Sequence, residues 1–116
     1  MSAGSTMKLT NIPEQVTDWT QLAAIEIPGA SGVAKARTQE IGEAQLRLIE
    51  FSPGYLADHW CAKGHVIFVV SGALAIEHQD GRAACALSAG MSWCVADDAR
   101  GHRVRSEHGA TIFVLD

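Results

Sequence analysis

Apolar and polar residues alternate along most of this chain in short runs broken by turn residues, a period that predicts strands rather than helices. The best helical pattern is Glu14 to Leu22, where Val16, Trp19 and Leu22 fall three apart, and Asp18 and Thr20 limit it to a short turn. Strands are expected at Ala23 to Ile27, before Pro28-Gly29, and at Val33 to Glu40, before Gly42. Gln45 to Phe51 has Leu46 and Leu48 on one face and Arg47 and Ile49 on the other, and ends at the turn Ser52-Pro53-Gly54. Tyr55 to Cys61, His65 to Val70 and Ala73 to His78 follow, separated by Lys63-Gly64 and by an expected tight turn at Ser71-Gly72. Asp80-Gly81 is a hairpin signal. Arg82 to Leu87, Ser92 to Ala96, His102 to Ser106 and Thr111 to Leu115 complete the set. Many short strands with almost no helix predict an all-β sandwich or barrel.

The length of 116 residues suits a single domain over 9–116, and the small polar residues before it, 1–8, read as a flexible N-terminus. Hydrophobic residues make up 47% and the net charge is −4, the balance of a globular protein. No two basic residues are adjacent, and Asp97, Asp98 and Glu107 offset Arg100, Arg103 and Arg105, so no nucleic-acid partner is expected. Even the longest fully apolar runs, such as Val66 to Val70, are far too short for a bilayer span, and no export signal is visible, which makes the cytoplasm the expected location. Three cysteines do not make a disulfide framework. Cys85 and Cys94 read as small buried hydrophobes.

Cys61 stands among histidines. On a strand His59 and Cys61 share a face, and the Lys63-Gly64 break lets His65 turn back toward them. An imidazole–thiolate set suits zinc, iron, nickel or copper, and not magnesium or calcium. A core histidine beside a buried cysteine fits the same spacing, which does not choose between the two.

The segment resembles the first motif of the cupin superfamily. Gly54 stands at the start and His59, five positions on, at the first His of the motif. Cys61 occupies the second His position, His65 the Glu position, and Gly72 the closing Gly. Gly90 resembles the start of the second motif, with Ala96 where proline is usual and His102 as the motif His. Asp58-His59-Trp60-Cys61, with Trp19 upstream, is similar to a narrower group of small bacterial DHCW-motif cupins. The resemblance implies a jelly-roll barrel of two antiparallel sheets. It also implies one divalent transition metal ion, zinc foremost and nickel, iron or copper next, held by His59, Cys61, His65 and His102. It implies no particular reaction. Cys61 and His65 in place of a His and a Glu remove a carboxylate and add a thiolate.

Arg47 shares its face with Ile49 and Phe51. On a barrel interior it is placed to clamp a substrate carboxylate, and on an outer face it is merely solvated. Trp93, with Trp60, Met91 and Phe113, is expected on a core or pocket wall, and Trp93 joins Arg47 as a substrate-binding candidate. Asp58 is expected to face away from His59, and His78 and His108, beside turns, are expected in solvent. Two functional classes follow: a metalloprotein with metal-dependent catalysis on a small molecule, or a non-catalytic sensor or metal-stabilised barrel. The apolar segment Leu22 to Ile27 would leave an exposed strand edge, for which a homodimer is the expected remedy.

Overall fold

The computed structural model describes residues 11–116. The expected flexible segment 1–8 lies outside them. One 3-10 turn, Trp19–Gln21, is followed by nine strands. They are β1 (Ile25–Pro28), β2 (Val33–Ile41), β3 (Ala44–Phe51), β4 (Tyr55–Leu56), β5 (His65–His78), β6 (Cys85–Ser88), β7 (Ser92–Val95), β8 (His102–Ser106) and β9 (Ala110–Leu115). All pairings between them are antiparallel, in the order β1-β2-β3-β9-β5-β8-β4, with β6 and β7 also on β5. No helix among the described residues is long and apolar enough to cross a membrane.

The expected turn at Ser71-Gly72 is instead the middle of the longest strand. The first half of β5 pairs with β7 and β9, and its second half pairs with β6 and β8. The register shifts between Val69 and Ser71, and Gly72 sits at φ +78°. A bulge and a left-handed glycine bend a strand without ending it. One strand thus serves both sheets and curls them about a common interior.

Strand parity sorts the side chains. Arg47, Val114, Ile67 and Trp93 form one inward row across β3, β9, β5 and β7, and Ile49, Ile112 and Val69 form the next. Val69, Ile76, Ile112 and Val114 are essentially without solvent contact. Burying each contributes roughly 1.5–3 kcal/mol. Arg47 is therefore on the interior face. The same parity corrects Cys94, which lies on the outer face of β7 and is exposed because Trp93 takes the inward position. Cys85 is half-buried and all three cysteines are unbridged. Met91 is exposed, not on a pocket wall, because the turn into β7 holds it outside the core.

The segment expected as a strand from Tyr55 to Cys61 keeps extended pairing only at Tyr55–Leu56. The chain bends at Asp58–His59 and rejoins the sheet at Cys61, through an isolated bridge to His102. On the outer face of the sheet, Val66, Phe68 and Val70 stand exposed in a row, with Leu115 across from Val66. β1 is the sheet's edge, and its Ile25 and Ile27 are exposed.

Candidate metal centre

Three elements that are distant in sequence supply the site. Cys61 N donates to His102 O at 2.8 Å and His102 N to Cys61 O at 2.9 Å. Residues exchanging both backbone hydrogen bonds are directly opposed, and their side chains leave the ladder on one side. This places Cys61 beside His102 across 41 positions of chain. His65, the first residue of β5, comes in from the facing sheet. Its ring lies 5.2 Å from that of His102, nearly perpendicular to it. Cys61 Sγ lies 3.5 Å from His65 Nε2. The donor atoms of Cys61, His65 and His102 all fall within 4.8 Å of one another.

His59 stays apart from this group. Because the chain bends at His59, the two-residue period that would align it with Cys61 is lost. Its side chain is 78% exposed, and its Nδ1 lies 2.6 Å from Asp58 Oδ1. Asp58 thus faces His59 rather than away from it, for the same reason. His59 still lines the cavity beside the three-residue cluster.

Asp116 was not signalled by any motif. Its side chain has no solvent contact, and Oδ2 lies 2.8 Å from His65 Nδ1 and accepts from Arg47 Nη2 at 2.6 Å. Lys63 Nζ is 3.6 Å from Oδ1. The backbone of Asp116 pairs with Gln45 in both directions, which fixes the carboxylate behind the ring. Burial pushes its carboxyl up, but Arg47, His65 and Lys63 together hold it below the usual aspartate range. The signal was parity: Asp116 follows Ile112 and Val114 by twos, on the inward face.

The electrostatics leave both cluster imidazoles neutral at pH 7. Burial lowers the pKa of His65, and the nearby Arg47 and Lys63 add to this against the opposing hydrogen bond and charge of Asp116. Burial likewise lowers that of His102, aided by the neighbouring His65 and His78 against the opposing effect of the Arg100 backbone. Neutral imidazoles keep the lone pair a metal needs. His78 pairs with His102 across β5 and β8 and is half-buried, not in solvent, because the strand continues to it. His108 is exposed, as expected.

The residues fit a transition metal on three counts. His102 is 3% exposed, and both of its ring nitrogens are buried without a hydrogen-bond partner. An imidazole left so is costly unless a ligand such as a metal ion binds it. Tetrahedral zinc, with bonds of about 2.3 Å to sulfur and about 2.05 Å to nitrogen, sets those two atoms roughly 3.6 Å apart. The Cys61–His65 separation of 3.5 Å matches. Finally, Asp116 on Nδ1 orients the Nε2 of His65 toward Cys61, the carboxylate–histidine arrangement common behind metal ligands.

The cluster opens on a cavity of about 230 Å³ with a mostly aliphatic and aromatic wall. Arg47 lines it, with Ile49, Phe51 and Tyr55. Trp93 does not line it, but packs at 5.0 Å against the ring of His102. Arg103 lines the rim, held by Glu77 at 2.8 Å and lying over the Trp60 ring at 4.3 Å.

No family model and no curated protein matches the sequence. Solved structures do match. An RmlC-like cupin from Shewanella frigidimarina aligns with a TM-score of 0.70 and 22% identity, over 91% of this chain and 92% of that one. A predicted oxalate decarboxylase from Thermotoga maritima aligns at 0.73 and 10% identity, over 87% and 96%. An ectoine synthase from P. lautus aligns at 0.70 and 14% identity, over 88% and 76%. Likeness at such identities speaks for architecture alone, and the architecture, two antiparallel sheets curled about a pocket, is the cupin fold.

Proposed function

We propose that this protein is a small metal-binding cupin that holds one divalent transition ion through Cys61, His65 and His102 and presents it to a small molecule in the barrel pocket. Zinc is the ion that best suits one thiolate and two imidazoles, with nickel, iron and copper next. The observation that carries the reading is the buried ring of His102, which makes no well-formed hydrogen bond and whose donor atom falls within 4.8 Å of those of Cys61 and His65. Three protein ligands leave one tetrahedral position free, which is the pattern of catalytic rather than structural zinc. A closed site would need a fourth ligand, and His59 is engaged with Asp58. When bound, such an ion supplies Lewis acidity toward a carbonyl or activates a water. The chain's own part is to hold the ring of His65 through Asp116, to exclude bulk water with the aliphatic wall, and to keep both histidines neutral.

Elemental analysis of the purified protein is expected to find one zinc per chain. A metal-bound sulfur is shielded from alkylation, so Cys61 is expected to react slowly until a chelator is added, while exposed Cys94 reacts in both states. Cys61→Ser is expected to lower zinc affinity at least tenfold, about 1.4 kcal/mol. Equal affinity in parent and variant overturns the reading.

The same reading includes a homodimer in the cytoplasm, a compartment that suits three unbridged cysteines. The exposed row Val66, Phe68 and Val70 and the free edge of β1 support self-association. Light scattering at micromolar concentration is expected to return twice the chain mass, and a monomer mass refutes the dimer.

A further inference from the structure

We infer that the cavity beside the metal cluster takes a small organic monocarboxylate with an apolar body, and that Arg47 is the residue that selects its charge. The inference deepens the proposed function and rests on it, because the ligand shares the pocket with the metal.

Arg47 lies on the inward row of β3, between Thr38 of β2 and Val114 of β9, and its side chain is only 25% exposed. A guanidinium has five N–H donors in a planar fork. One nitrogen, Nη2, is used on Asp116. Nε is buried without a partner, so what the cavity meets is the part of the side chain that keeps it 25% exposed. A cation with unspent donors, set in a wall of Ile49, Phe51, Val114 and Ile112, is a strong attractor for an oxyanion.

The charge of the wall points the same way. Among the described residues lining the cavity, Arg47 and Arg103 are cationic and none is a carboxylate, and since Arg103 is already paired with Glu77 the charge facing a ligand centres on Arg47. Asp116 lies behind the wall, where it neutralises part of the charge on Arg47 and Lys63. Adding a divalent ion to one thiolate raises the local positive charge further. A neutral ligand would leave this field unanswered, and a cation would be repelled.

Size and polarity limit the rest of the ligand. A volume of about 230 Å³ is that of roughly eight waters at about 30 Å³ each. The largely aliphatic wall offers few partners for the many hydroxyls of a sugar or a nucleotide. An acid of the size of benzoate fits in volume and in the division between one charged end and an apolar remainder.

The test uses benzoate and its neutral isostere benzamide as probes, titrated calorimetrically into zinc-loaded protein. Zinc content and zinc affinity are measured first on every sample, so that a failure of the metal reading is seen before any probe is added. Benzoate is expected to bind at least tenfold more tightly than benzamide. Arg47→Lys keeps a charge for Asp116 but loses the planar fork, and in samples loaded to the same zinc content it is expected to bind benzoate at least tenfold more weakly than the parent. Arg47→Met is expected to abolish the preference for benzoate over benzamide. Equal binding of the two probes by zinc-loaded parent protein, or benzoate binding by Arg47→Lys at parental strength, overturns the inference.

Discussion

Replacing His102 by alanine is expected to lower zinc affinity at least a hundredfold, about 2.8 kcal/mol. Groups that only orient a ligand already cost tenfold to a hundredfold when removed, and His102 supplies one of the three clustered donors. The loss should not come from unfolding. The backbone of His102 makes the bridge to Cys61, and alanine retains both of those hydrogen bonds. Removing the buried imidazole relieves an unsatisfied group but also takes away the ring that His65 and Trp93 pack against, so urea unfolding of the metal-free variant is measured beside the affinity to show that it is folded. His59→Ala is the contrasting case. Its ring is exposed and engaged with Asp58, and zinc affinity is expected to stay within about threefold of the parent, on the order of 0.6 kcal/mol. Competition titration against a chromophoric chelator measures both. A His59→Ala loss as large as that of His102→Ala would restore the four-ligand site that the motif resemblance implies.

Gly72→Ala is expected to destabilise the fold by about 3 kcal/mol. The left-handed backbone at φ +78° costs an L-residue roughly 1–2 kcal/mol. A Cβ at this point would also collide with the carbonyl oxygen of Gly109 and stand 2.8 Å from Cα of Ala110. Both obstacles are backbone of the paired strand region, which no rotamer change can move. The damage falls where β5 passes from one sheet to the other, so it strains both. Gly81→Ala separates the two contributions. Gly81 has φ +86° but open space around it, so only the backbone penalty of about 1 kcal/mol is expected there. Urea unfolding with a common slope measures the difference, and similar midpoints for the two variants would refute the collision argument.

The sequence carried the strands well wherever a turn residue bounded an alternating run. His102 to Ser106 was legible to the residue, and β3 and β9 nearly so. It misled at Ser71-Gly72, because a glycine with positive φ serves a turn and a bulge equally, and only the partners on either side decide which it is. It misled again at His59. Two-residue spacing implies a shared face only while the strand lasts, and nothing local in Asp58-His59-Trp60-Cys61 marks the bend.

What the sequence by itself determined is the short-range pattern: an all-β chain, the two alternating faces of its longer strands, and a histidine–cysteine segment suited to a transition metal. These follow from neighbouring residues, since side-chain direction alternates along a strand whatever it pairs with. Which donors meet was decided by tertiary structure alone. Cys61 reaches His102 through a single two-bond bridge, and His65 meets Asp116 because of the register in which the first half of β5 pairs with β9. A shift of one residue in that register would turn Asp116 outward and leave His65 without its carboxylate. The inward placement of Arg47 was open in the sequence for the same reason. Alternation separates two faces, but only the closing of the barrel determines which face becomes the interior.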